Sequence, residues 1–338
     1  MNNSIIDVAK RAGVSKSTVS RVLTGGSVSE KSRTAVYQAM QELNYAPNQM
    51  AQGLRGARTK VAGVVLNLEH ALLSSFMDAR IAGINCVLAE AGYSLLLINC
   101  RKGAEGDTDP FRFLKQNFVD GLIFLGEFGD ETWKQKIREY RPVIYTGERY
   151  EKDTGFRVYM GNYYYSQDMY ACLMNNGHRR ILTIFDIILG KNIEKIRQNA
   201  YAEVCRKFGV SSEPNSFISL KEMNLNNWER LEYIYKKFVE GAYTAIFAES
   251  MELANQIVNY FSLKGLNLLE DYSIVAIERG GIEGKKDPTI TAVCLPDFEY
   301  GVKCADLLLQ VLKDESLTYG DIVVPYQLEI RRSVKNIL

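Results

Sequence analysis

Histidine is almost missing from this chain of 338 residues: His70 and His178 are its only two, and they lie far apart. GxGxxG, GxxxxGK(S/T), GxSxG and HExxH are missing altogether. Those motifs cradle dinucleotides or phosphates, carry a nucleophilic serine or hold zinc. Their absence argues against hydrolytic and metal chemistry, and binding is expected rather than catalysis: no enzyme, no metal, no cofactor. The six cysteines (Cys86, Cys100, Cys172, Cys205, Cys294 and Cys304) form no CxxC pair. Scattered in this way they read as buried core thiols, not as zinc ligands or a disulfide framework. There is no amino-terminal apolar h-region and no stretch near twenty apolar residues. A reducing cytoplasm is therefore expected, rather than secretion or a membrane.

What is present is ordinary in bulk and uneven in detail. At 46% hydrophobic and 24% charged residues the chain has ample material for a core, and its length suits two or three domains. The net charge of +1 hides an asymmetry: residues 1–58 carry eight basic and three acidic side chains, +5, which leaves −4 on the rest. A basic head on a mildly acidic body fits a head that meets phosphates.

The head reads as a helix-turn-helix. Ser4-Ile-Ile-Asp7 predicts a capping box, with Asp in place of Glu, opening a first helix through Arg11. Gly13 breaks it, as a tight turn between helices requires. Ser15 caps a second helix, Lys16 to Leu23, whose Val19, Val22 and Leu23 would pack on Val8 and Ala9. Lys16, Ser17, Ser20 and Arg21 are left on the outer face, where they suit base edges and phosphates. Gly25-Gly26 ends that helix and Ser29 caps a third, to about Leu43. Next comes Tyr45-Ala-Pro47-Asn48-Gln-Met-Ala-Gln52-Gly-Leu54-Arg55, which sets a lone leucine in a short polar, basic helix. Such a wedge suits insertion between base steps in a minor groove. Roughly nine residues are too few to hold a helix in water, and Gly53 and Gly56 weaken it further. This hinge is expected to fold only on DNA, beside its twin from a second subunit.

In the body, apolar runs of strand length alternate with amphipathic helix-length stretches. Runs at 61–66, 93–98, 121–125, 143–145, 181–185, 244–248, 273–277 and 291–294 predict buried parallel strands. Helices are expected near 75–91, 130–140, 163–176, 193–208, 226–240, 250–264 and 298–313. A βαβ alternation of this length makes two doubly wound parallel-sheet lobes, α/β in class, with ligands at the carboxyl ends of strands.

The head run Asp7-Val-Ala-Lys-Arg-Ala-Gly-Val-Ser-Lys-Ser-Thr-Val-Ser-Arg21-Val-Leu resembles the signature of the lactose repressor/galactose repressor (LacI/GalR) family of bacterial transcriptional regulators. The Leu43-Asn-Tyr45-Ala-Pro47-Asn48…Ala51…Leu54 segment is similar to it too. In the body, Ala82-Gly83-Ile84, Val119-Asp-Gly121, Asn176-Gly177-His178, Pro288-Thr-Ile-Thr and Pro325-Tyr-Gln-Leu-Glu-Ile-Arg331 resemble the family's sensor portion, of periplasmic-binding-protein type. The resemblance implies an all-α head at 1–45, a hinge helix and linker at 46–60, and an effector-binding and dimerisation body at 61–338. It divides that body into a first lobe near 61–160 and 293–321 and a second near 161–292 and 322–338.

The resemblance also implies site residues. Lys16, Ser17, Thr18 and Arg21 would face the major groove, while Ser15, Ser20, Ser29, Ser32, Tyr45 and Asn48 would hold phosphates. Leu54, flanked by Gln52 and Arg55, would wedge the minor groove. For the effector it points to Phe76, Arg149, Arg197, Glu249 and Glu278, with Glu148 beside Arg149. Here the chain departs from the family pattern: Glu278 stands where Asp is usual, and Glu249-Ser250 replaces the common Asn-Asp. Carboxylates with an aromatic suggest a carbohydrate, and two acids weigh against a highly anionic ligand. A phosphosugar, a purine or a phosphoprotein partner stays open. No leucine heptad follows Ser333, so a homodimer is expected rather than a tetramer. Dimers are also what two half-sites demand. A ligand-controlled repressor on a near-palindromic operator is the reading; a sugar-binding module or sugar-active enzyme with a protein-binding head is the alternative.

Overall fold

The computed structural model describes residues 4–23, 26–45, 58–67, 75–100, 109–126, 140, 142–148, 155–186, 191–212, 216–220, 223–280, 289–317 and 319–338. The chain forms two compact units, Met1–Val61 with Arg112–Asp120, and Ala62–Phe111 with Gly121–Leu338.

In the first unit, helices α1 (Ile5–Ala12), α2 (Lys16–Leu23) and α3 (Glu30–Glu42) surround a small core of Val8, Ala9, Val19, Val22, Val36 and Ala39. The Ser4–Asp7 capping box forms at the start of α1, and Gly13 ends that helix at φ 66°, a left-handed cap that suits glycine. Ser15 Oγ accepts from Thr18 N at 3.1 Å and Ser29 Oγ from Ser32 N at 3.3 Å, so both serines cap helices as expected. Further along, Asp120 accepts from Thr59 N (2.7 Å), Thr59 Oγ1 (2.7 Å) and Lys60 N (3.0 Å). The helix expected near 130–140 and the hinge segment lie outside the described residues.

The second unit holds most of two six-stranded sheets. The first contains β1 (Val61–Leu66), β2 (Ser94–Asn99), β3 (Gly121–Phe124), β4 (Val143–Thr146), β5 (Phe156–Tyr159) and β11 (Gly320–Val323), in the order β11-β5-β4-β3-β1-β2. In the second are β6 (Ile181–Phe185), β7 (Phe217–Ser219), β8 (Ala245–Ala248), β9 (Ser273–Arg279), β10 (Thr291–Leu295) and β12 (Gln327–Glu329), ordered β12-β10-β9-β8-β6-β7. Helices α4 (Ser75–Glu90), α6 (Asn162–Asn175), α7 (Lys191–Lys207), α8 (Asn227–Glu240), α9 (Met251–Leu263) and α10 (Asp297–Lys313) cover them, and the short α5 (Arg112–Lys115) lies in the first unit. The chain changes sheets after β5, after β10 and again between β11 and β12.

Three expectations need correction. Strands β5, β7, β11 and β12 escape a search for apolar runs, because FRVY, GDIV and QLE are interrupted by Arg157, Asp321, Gln327 and Glu329 and Phe217–Ser219 is only three residues long. Strand β12 runs antiparallel to β10, so the second sheet is not wholly parallel. Strand β2 is not buried, because it forms the edge of its sheet and leaves Leu97 44% exposed. Of the cysteines, all free, Cys100, Cys205 and Cys304 are buried as expected, whereas Cys86 is exposed.

Helices α4 and α10 approach through glycine. A Cβ on Gly83 would lie 2.1 Å from Phe298 O, and one on Gly301 would lie 2.0 Å from Arg80 O. His178 is structural: Nδ1 lies 3.0 Å from Thr244 Oγ1 and Nε2 3.1 Å from Lys335 O, tying the turn before β6 to the carboxyl-terminal segment. Burial lowers its pKa, favouring the neutral ring. Among the described residues no helix is long and apolar enough to cross a membrane.

Candidate functional site

The head presents one polar face. Because Val19 and Val22 point into the core, the α-helical period turns Lys16, Ser17 and Arg21 outward, all exposed, with Thr18 and Ser20 half-buried. The Ser15 hydroxyl lies 2.7 Å from that of Ser17 and 2.8 Å from that of Thr18, so the three form a compact cluster at the start of α2. Ser29 is exposed at the start of α3, while Ser32 and Tyr45 are half-buried, Tyr45 resting on the small core. Asn48, Gln52, Leu54 and Arg55 lie outside the described residues.

A second constellation sits at the carboxyl ends of the strands in the second sheet. Alternation along β9 decides which side chains reach it. Ile274 and Ala276 pack in the cluster that includes α8 and α9, whereas Val275 and Ile277 pack in the one that includes α6 and α7. Side chains alternate by face, so Glu278 falls with the first set and Arg279 with the second. Glu278 accordingly bonds Arg331 Nη2 at 2.5 Å and lies 3.3 Å from Cys294 Sγ, its partner in the β9–β10 register. Glu278, expected at the effector site, is thus held by Arg331. Arg331 Nη2 also lies 2.7 Å from Glu329, so a guanidinium already supplies the positive charge that the Glu278–Cys294–Glu329 cluster would draw. Burial and Glu278 push the Cys294 thiol up to about 12.

On the other face, Arg197 from α7 is 1% exposed and pairs with Glu249, at the end of β8, at 2.6 Å. Its Nη2 donates to Tyr165 Oη at 3.0 Å, and its Nε, buried, has no partner. Glu249 also accepts from Asp186 N at 2.8 Å. Arg279 reaches Asp297 at 3.4 Å and stands over the ring of Phe76 with 4.1 Å to the centroid. Arg80 donates to the same Asp297 oxygen at 2.8 Å and lies 5.1 Å from the Phe76 centroid. Phe76 is thus buried against two guanidiniums. Glu148, at the end of β4, accepts from Asn162 N and Nδ2, both at 2.6 Å. Arg149 lies outside the described residues.

Phe76, Arg197 and Glu249, expected from the sequence, stand together with Arg80, Arg279, Asp297, Tyr165 and Asp186, which were not among the expected residues. Arg80 and Asp297 lie 217 residues apart, and no local pattern couples them. Arg279 was within reach only if the strand's facing had been known. Apolar residues fill both faces of β9, which erases the period of two that would have shown it.

Asp186 is a half-buried acid whose ionisation responds to pH. Burial, with the neighbouring Glu249, raises its carboxyl to about 7, although Ser250 Oγ donates to it at 2.8 Å. It binds a proton more tightly in the folded chain than in the unfolded one. Its linked stabilisation is therefore full near pH 4, declines toward pH 7 and is gone above. Over that window the chain should lose roughly 2–4 kcal/mol through this group. An Asp186→Asn variant should show a flatter dependence when urea midpoints are compared at pH 5 and pH 8. Parallel curves would show that Asp186 ionises normally.

Residues 4–48 match the bacterial regulatory proteins of the lacI family, and residues 170–334 match the periplasmic binding protein-like domain. The chain thus carries a lacI-family head and a periplasmic binding protein-like domain. Catabolite control protein A of Streptococcus mutans is 25% identical over 98% of each chain. The transcriptional repressor PurR of Actinobacillus pleuropneumoniae is 27% identical over 99% of each. Among solved structures, the Lac repressor dimer bound to operator and the anti-inducer ONPF superimposes with a TM-score of 0.78 at 22% identity, over 99% of this chain and 100% of that one. The regulator CelR in complex with cellobiose gives 0.67 at 24%, covering 98% and 99%. The head is therefore a LacI-family DNA-binding head on an α/β body of two parallel-sheet lobes. These relatives are transcriptional regulators, not enzymes.

Proposed function

We propose that this LacI-family regulator acts as a homodimeric repressor on a near-palindromic operator, released or recruited by a small sugar or sugar derivative bound between the lobes of its body. The observation that carries this reading is the pairing, on one chain, of an exposed Lys16–Ser17–Arg21 face with a body whose strand ends gather buried charged side chains. The solved relatives with operator, cellobiose and, in an Enterococcus faecium regulator, ribose support it. The division into a head at 1–45, a hinge at 46–60 and a body at 61–338 belongs to the same proposal. So does the placing of Leu54 as a minor-groove wedge, with Tyr45 and Asn48 on phosphates.

Arg21→Ala should weaken operator binding about 10- to 100-fold, ~1–3 kcal/mol, and random duplex much less, because a base contact is lost on the operator alone. Mobility shifts of the full chain on both duplexes measure this, and equal losses would remove Arg21 from sequence reading. Binding should also fall steeply with salt, as phosphate contacts release counterions.

A further inference from the structure

We propose that the effector of this chain carries an acidic group, a carboxylate or a phosphate, held by the Arg279 guanidinium together with Arg80 and Arg197. The inference rests on the effector reading of the cleft and narrows it to a chemical class.

The charges among the described residues carry it. Arg80 and Arg279 share one oxygen of one carboxylate, Asp297 Oδ1, at 2.8 and 3.4 Å. Arg197 has a partner of its own in Glu249 at 2.6 Å. Three guanidiniums thus face the carboxylates of Asp297 and Glu249, since Glu278, the acid expected here, lies on the other face of β9 and is paired with Arg331. Asp186 is a third acid, whose carboxyl burial and Glu249 raise to about 7. The surplus is buried. The Arg279 side chain is 9% exposed and its Nε has no partner; Arg197 Nε likewise has none. A buried cation with incomplete pairing costs free energy that an anion would recover, and guanidinium forks fit planar carboxylates and phosphates.

The surroundings agree. Burial lowers the pKa of Arg279, and Arg80 and Arg197 act on it as neighbouring like charges. Asp186, the other acid near Arg197, is raised by burial and by Glu249, so it adds less than a full negative charge near neutrality. A neutral sugar could accept hydrogen bonds from these forks, yet it would leave the surplus cation uncompensated. An acidic group settles both. The contact of Arg279 with Phe76 at 4.1 Å fixes the guanidinium beside the aromatic ring.

The test compares glucose, gluconate, glucose 6-phosphate and inorganic phosphate as ligands of the full chain, at constant ionic strength, by thermal shift and by calorimetric titration. Gluconate or glucose 6-phosphate should raise the melting temperature where glucose does not. The first alone responding assigns a carboxylate, and the second, with or without inorganic phosphate, assigns a phosphate. Arg279→Gln should weaken the responding anion at least about tenfold; should that variant not fold, Arg279→Lys, which keeps the charge and loses the fork, should weaken it less. Equal stabilisation by glucose, no response to any of the three anions, or an unchanged response in both variants would overturn the inference. Operator binding by the unaltered chain, measured on the same preparation, separates this failure from that of the regulatory reading. A chain that binds anions and no DNA sinks the latter alone.

Discussion

Asp297→Ala should destabilise the chain by about 3–5 kcal/mol, the largest single effect expected of any substitution in the body. Asp297 is fully buried and is the one carboxylate bonded to both Arg80 and Arg279. Its removal leaves two guanidiniums in low dielectric, Arg80 beside Tyr300 at 4.2 Å and Arg279 beside Phe76 at 4.1 Å. Ring faces soften that cost without replacing an anion. Urea unfolding followed by circular dichroism gives the number. The double variant Asp297→Ala/Arg279→Met should recover part of the loss, since it deletes one of the two orphaned cations. A loss below about 1 kcal/mol would mean that the charges are hydrated and the site is not dry.

Gly301→Ala should cost about 3 kcal/mol, toward the upper end for overpacking. The added methyl would sit 2.0 Å from the carbonyl oxygen of Arg80 and 3.0 Å from Ile84 N, both backbone atoms of α4 that no rotamer change can move. Helices α4 and α10 must therefore separate, which also drags Arg80 from Asp297, because both side chains stand on those two helices. The same unfolding measurement applies, and effector affinity should fall with stability. Gly83→Ala, facing Phe298 O at 2.1 Å, should behave alike. Full stability in both variants would show that the helices pack with slack.

Much of this was legible in the sequence for a physical reason in each case. The head could be read because its caps are local: Ser4 with Asp7, Ser15 with Thr18 and Ser29 with Ser32 each span three residues. Strands β1 and β6 could be read because they are continuous apolar runs flanked by polar turns. The short edge strands β7, β11 and β12 could not, since three or four residues with little burial carry no pattern. Arg197 and Glu249 were both expected from the family resemblance, and the structure joins them in an ion pair. For Glu278 the resemblance fixes only a position along the strand, whereas strand alternation and Arg331 decide where the carboxylate points. The facing of Arg279 follows from the same alternation.

The regulatory reading is tested most directly by selecting bound fragments from sheared genomic DNA with the full chain and mapping the protected bases. The account predicts a small set of discrete sites, each close to two-fold symmetric, with half-sites spaced by whole helical turns as paired heads require. Fragments recovered without common sequence or symmetry, at an affinity matching random DNA, would contradict it.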